Sequence, residues 1–418
     1  MNRWILAAAG LVLSSCASGA NVTPGRAAYV NANVFDGEAF RPGDLVIENG
    51  RLIDARPETA SVQIDLAGAY VVPPFCEAHN HNLGSSYQNQ AAIDAYLRDG
   101  IFYVGLLSNV PTISNSVRDT YNTPTSVDVV FGNGGLTASG GHPIRLRESL
   151  LERGSYPGFT RETLADEAYF VIDNEADLAQ RWPIIMGFEP DFIKIFLLYS
   201  EEFEARRDDA GFFGQKGLDP ALAPLIVERA HAAGLRVFAH VESGRDFHVA
   251  LTAGADVIAH MPGNSHPTEI DPADARLAAE RGVPVMTTSM LIDRYRERDP
   301  ERYAALREDM IANLGVLRDA GVILAAGSDT YGGTSRAEID FLRQLGLFSN
   351  AELLRMWSTD CARTLFPQRA LGRLESGAEA SFLVLGGDPL ADFAATGDIA
   401  LRVKQGVVLD APSPAAEN

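Results

Sequence analysis

Val72-Pro73-Pro74-Phe75-Cys76-Glu77-Ala78-His79-Asn80-His81 reads as an apolar strand that runs out into two histidines two residues apart. Side chains at i and i+2 of a strand share one face, so both imidazoles can meet one ion. A bare His-x-His says little, and its weight comes from residues further along the chain. Lys194 sits near the end of the apolar run 192–197, His240 ends the run 235–240, His260 ends 257–260, and Asp329 comes directly after 322–328. With 71–79, 101–107, 127–133 and 283–287, these runs make eight candidate strands. The metal-type and ionisable residues all fall at strand C-termini.

Helices lie between several of these strands. The segment 220–233 opens on Asp219-Pro220, a capping residue before a first-turn proline, and stops at Gly234. The segments 271–281 and 301–320 stop at Gly282 and Gly321, and 351–365 begins after Ser349-Asn350. Strand, helix, glycine, strand, repeated, predicts an α/β fold, a (β/α)8 TIM barrel over 73–367. Such barrels carry their active sites where the strands end. An open doubly wound sheet is the alternative, but no dinucleotide glycine fingerprint comes after any strand. The connection 134–190 is longer than a usual loop and helix, and opens with Gly134-Gly135-Leu136-Thr137-Ala138-Ser139-Gly140-Gly141-His142.

Working outward, 27–72 and 368–411 read as short strands, with a hairpin turn at Asn49-Gly50, and predict one small β-sandwich domain built from both chain ends. Residues 412–418 read as a flexible tail. Residues 1–15 read as a signal peptide, with Arg3 ahead of a short apolar stretch. Leu13-Ser14-Ser15-Cys16 resembles a bacterial lipobox. That resemblance implies lipidation of Cys16, with 16–26 as a tether and a periplasm-facing, lipid-anchored protein, on the outer membrane by its lack of Asp after the cysteine. Cys76 and Cys361 then remain, and both are expected to be buried free thiols, although a barrel that closes could bring them together. The formal net charge of −20 repels phosphate backbones and argues against nucleic-acid partners.

The first-strand motif, the lysine, the two later histidines and the final aspartate, in that order, resemble the amidohydrolase superfamily. Within it, the chain is most similar to the imidazolonepropionase-like and prolidase-like branch. Val34-Phe35-Asp36-Gly37 and Gly386-Gly387-Asp388-Pro389-Leu390 resemble the flanking β-sandwich of the same enzymes. The resemblance implies that His79, His81 and Asp329 hold an inner metal, that His240 and His260 hold an outer one, and that a carboxylated Lys194 bridges the two. Zn²⁺, two per chain, suits these ligands, and Mn²⁺ suits them too. It also implies hydrolysis of an amide, peptide or related acyl bond by a metal-activated water, with Asp329 moving the proton. Pro74 replaces a usual glycine, the second strand ends Leu106-Leu107-Ser108-Asn109 rather than Arg-Asp, and the fourth runs on to Leu197-Leu198-Tyr199. These departures leave the substrate open within small molecules and short peptides.

His142, in its glycine-rich loop, is a candidate donor to a developing oxyanion, or else a loop histidine with a structural bond. Tyr199 and Arg245 come after metal-bearing strands and are candidates to orient substrate, Arg245 toward a carboxylate. Glu242, two residues past His240, keeps open a mononuclear reading in which a cyclic amidine or lactam is opened or a ring is deaminated. A non-catalytic surface lipoprotein that retains the barrel as a scaffold is the third reading. His266 has no assigned role, and the oligomeric state is open.

Overall fold

Two consecutive prolines cannot donate to a strand ladder, and the expected strand 71–79 divides at Pro73-Pro74. In the computed structural model, which describes residues 23–263 and 268–409, Tyr70–Val72 and Phe75–Asn80 join different sheets. The same break separates two compact units. One comprises the residues up to Pro74 with those from Gln368, and the other is Phe75–Pro367. Cys16, the signal and most of the tether, His266 and the tail lie outside the described residues. Among the described residues no helix is long and apolar enough to cross a membrane.

The first unit is one mixed eight-stranded sheet. Its long strand Thr23–Phe35 pairs antiparallel with Phe40–Glu48 and parallel with Ala60–Asp65 and Tyr70–Val72. The C-terminal strands Phe382–Leu385, Ile399–Lys404 and Val407–Leu409 extend it beyond Tyr70–Val72. Alternation decides the packing. Tyr29, Leu45 and Ile47 enter one apolar cluster with Phe382 and Val403, while Ala28 and Val46 enter a second with Ala60.

The second unit holds two wholly parallel sheets. Three strands run Phe75–Asn80, Ile101–Leu106, Asp128–Phe131. Seven run in the order Tyr169–Val171, Gly135–Thr137, Phe192–Phe196, Arg236–His240, Val257–Ile258, Val285–Thr287, Leu324–Ala326. Backbone bonds join the two sheets at both ends. Asp191 N–H donates to Phe131 O (2.9 Å), and Ser328 and Asp329 N–H donate to His79 O (3.2 and 2.8 Å). Gly327 permits the second seam, since a Cβ there would lie 2.8 Å from His79 N. Helices Ala223–Ala232, Pro272–Arg281 and Pro300–Asp319 fill the connections that the sequence assigns to them, each preceded within a few residues by an aspartate cap at Asp219, Asp271 or Asp299.

The connection 134–190, longer than a loop and a helix, contains the strands Gly135–Thr137 and Tyr169–Val171 and the helices Ile144–Glu152, Arg161–Leu164 and Glu175–Gly187. One expectation needs correction. Cys76 and Cys361 are not free thiols. They form a disulfide across a Cα–Cα distance of 5.8 Å. Helix Thr359–Leu365 packs behind strand Phe75–Asn80, and alternation turns Cys76 toward it while His79 faces the opposite way. Beside the bridge, Trp357 stacks on Phe75 with ring centroids 3.8 Å apart, and its indole N–H reaches Ser335 Oγ.

Candidate metal centre and active-site cavity

Strands buried on both faces are mostly apolar, so a polar group inside one or at its end stands out. Here the C-terminal ends converge on a cavity of about 420 Å³, lined by His79, His81, Lys194, His240, His260, Asp329 and His142. The hydrogen-bonded side of each imidazole shows which nitrogen is left for a ligand. His79 Nδ1 lies 2.5 Å from Ala259 O and His81 Nδ1 lies 3.2 Å from Ser108 O. A carbonyl only accepts, so both Nδ1 atoms carry a proton, and in the neutral rings both Nε2 atoms present lone pairs. These lone pairs meet Asp329 Oδ1 at 3.3 and 2.9 Å. Three electron-pair donors thus converge within 4.8 Å of one another, an arrangement that a shared cation satisfies.

The other pair is built alike. His260 Nδ1 lies 3.2 Å from Met261 O, leaving Nε2 to accept from His240 Nδ1 at 2.6 Å. His240 Nε2 is then buried without a hydrogen-bond partner. Lys194 is 2% exposed, and its Nζ has no partner either. Its strand approaches closely because Gly135 has no side chain. A Cβ there would fall 2.4 Å from the Phe196 ring and 3.1 Å from Lys194 Cγ.

Burial sets the protonation states. It pushes the Lys194 ammonium down to about 7, with Asp329 opposing. It pushes His142 and His260 down to about 4, and His79 and His240 well below their ordinary range, so the imidazoles are neutral, as ligands must be. Burial also raises Asp329, but His79 and His81 beside it hold the carboxyl well below the usual carboxylate range. Glu242 Oε2 lies 3.7 Å from His240 Nε2, and burial, with Asp246 adding to it, raises the Glu242 carboxyl to about 7.

His142 lies over His240, ring centroids 4.9 Å apart and nearly parallel. Tyr199 lines the cavity with the Arg206 guanidinium 3.7 Å from its ring centre. Arg245 does not line it. The helix Gly244–Ala253 starts with a capping box between Ser243 and Asp246, which exposes Arg245 and buries Asp246 instead. Asp246 accepts from the backbone N–H of Tyr199, Ser200, Glu242 and Ser243, tying together the loops after two metal-type strands. His231 and His248 pair with Asp256 and Asp274, away from the cavity. Sequence reasoning missed Arg147, Arg294, Arg302 and Tyr331 on the cavity wall. They come from helices and loops, where no periodicity announces a side chain's direction.

Residues 210–409 match the model of the amidohydrolase family. No curated protein matches the chain in sequence. Solved structures share its fold. A prolidase complexed with N-methylphosphonate-L-proline is 22% identical, with a TM-score of 0.72 over 92% of this chain and 99% of its own. The Aspergillus niger ochratoxinase is 19% identical, with a TM-score of 0.72 over 93% and 96%. Molinate hydrolase is 16% identical, with a TM-score of 0.70 over 94% and 96%. The family match over residues 210–409, just under half of the chain, implies a divalent metal, and the His79, His81 and Asp329 donors fit one; over that segment the chain resembles the hydrolases of the amidohydrolase family.

Proposed function

We propose that this protein hydrolyses a carbon–nitrogen bond of a small amide or short peptide, using two divalent ions bridged by a carboxylated Lys194. The reading takes the Phe75–Pro367 unit as a (β/α)8 barrel and the sheet from both chain ends as its flanking β-sandwich. The observation that carries it is the pairing of three converging lone-pair donors with a buried lysine that has no hydrogen-bond partner, in one cavity. An amine that titrates near neutrality can capture CO₂, and the resulting carbamate supplies the negative charge such a site needs. His79, His81 and Asp329 would hold one ion and His240 and His260 the other, with Zn²⁺ favoured by the imidazoles and Mn²⁺ allowed.

When bound, the ions supply Lewis acidity and a water that ionises near neutral pH. The chain's own groups do the rest. Asp329, held as a carboxylate, accepts a proton and returns it to the departing amine nitrogen. Neutral His142 retains one ring N–H to donate to the carbonyl oxygen as charge builds there. Asp246 fixes the Tyr199 and Glu242 backbones, so the walls stay in register with the ligands. Glu242 beside His240 favours the second reading, a mononuclear enzyme acting on a cyclic amidine, lactam or ring amine. Export with lipidation at Cys16 also stands as a proposal, supported by the lipobox and by a disulfide that suits an oxidising compartment.

The test is a turnover screen of the metal-reconstituted protein across dipeptides, N-acyl amino acids, lactams and lactones, with metal counted per chain. The expectation is two metals and turnover of linear amides. One metal with turnover confined to cyclic amidines or lactams moves the mononuclear reading ahead.

A further inference from the structure

Resting on that hydrolase reading, we infer that Arg147 is the anchor of a carboxylate subsite, and that the substrate carries a free carboxylate beside its scissile amide. Arg147 belongs to helix Ile144–Glu152 and is only 5% exposed, yet it forms part of the cavity wall. Its hydrogen bonds go to neutral acceptors. Nη2 donates to Ser108 Oγ at 2.5 Å and Nη1 to Tyr156 Oη at 2.6 Å, while Nε is buried with no hydrogen-bond partner.

A guanidinium cannot shed its proton as Lys194 can, so burial does not neutralise it. Buried charges are ordinarily paired, and an unpaired one in a cavity wall is satisfied by what enters the cavity. Its planar fork of donors matches a carboxylate. The position also fits. Ser108 receives Arg147 on its hydroxyl and His81 on its carbonyl, so the guanidinium and a metal-type histidine hang from one residue. Leu107, Leu146 and Tyr331 line the same cavity, which suits an apolar side chain on a charged substrate. N-acyl amino acids and dipeptides with apolar residues have this combination.

Calorimetric titration of the metal-loaded full chain tests it with two probes. They are N-acetyl-L-leucine and N-acetyl-isopentylamine, the same amide without its carboxylate. Wild type should bind the acid at least about tenfold more tightly. Arg147→Gln should lose that preference, and Arg147→Lys should keep part of it, with melting curves showing that each variant is folded. Equal binding of the two probes by wild type, no binding of the acid, or equal weakening of both in folded R147Q overturns the subsite. Turnover separates this from the reading beneath it. Hydrolysis of uncharged amides with no preference for the acid sinks the subsite and leaves the hydrolase standing. Acid-selective binding with no amide hydrolysed keeps the subsite and sinks the hydrolase reading.

Discussion

Lys404 and Lys194 are both buried, one in each unit, and their surroundings differ. Lys404 ends a strand of the sheet built from both chain ends, is fully covered, and has interaction partners. The clusters around that sheet are apolar on both faces. Lys194 is covered just as well but its Nζ meets no acceptor, in a wall that also contains Asp329 and five histidines. A buried cation that has partners belongs to the packing. One without a hydrogen-bond acceptor is retained at a cost in stability, which points to a use in chemistry. The contrast can be broken at several levels.

The largest effect is expected from Lys194→Ala. It should remove at least one metal per chain, read by elemental analysis, and lower turnover by a thousandfold or more. Short carboxylic acids added to the variant should restore part of both by replacing the bridge. Full activity of a wild-type enzyme with one metal and a free lysine would end the binuclear mechanism. A smaller effect is expected from His142→Ala, about a hundredfold in kcat with metal content unchanged. Unchanged kcat returns His142 to a structural role, and loss of metal makes it a ligand.

The smallest effect is thermodynamic, and isolates the lysine. Its ammonium is pushed from 10.5 down to about 7 by burial. Between these values the unfolded chain holds a proton that the folded one has released, so stability rises with pH, by at most about 1.4 kcal/mol per unit. Below about 7 both states are protonated and the burial cost is felt in full. Glu77, Glu242 and Glu338, raised by burial to about 8, 7 and 7, act in the opposite direction at lower pH. The difference between metal-free wild type and Lys194→Met removes their contribution. The variant should melt higher at pH 7, and its advantage should shrink toward pH 9. A constant difference would show that the lysine is not the titrating group.

The cavity lining was legible where two periodicities agreed. His79, His81, His240, His260 and Asp329 end apolar runs whose alternation gives their direction, and Lys194 shares the inward face with Phe192 and Phe196. Arg245 and Asp246 show where that logic fails. Both lie just past His240, but the phase of a helix start chooses between them, and the Ser243 capping box put the carboxylate inside. Arg147 was illegible because its direction depends on Ser108 and Tyr156, neither of them near it on any strand. The cysteine pairing depended on how residues 285 positions apart pack, which no local pattern encodes. Pro73-Pro74 was readable as the border between units, since neither residue can donate to a ladder, but the apolar run across it hid the break.

The Cys76–Cys361 bond has a consequence for the chain as a covalent object. It ties the first strand of the α/β unit to its last helix, so nearly the whole unit is a closed ring of polypeptide with both ends of the chain leaving from one place. A protease that cuts the ring once opens it without releasing a fragment. The nicked molecule keeps its mass until a reductant is added, so while the bond is intact any one loop around the cavity is a place where new chain ends can be made without detaching anything.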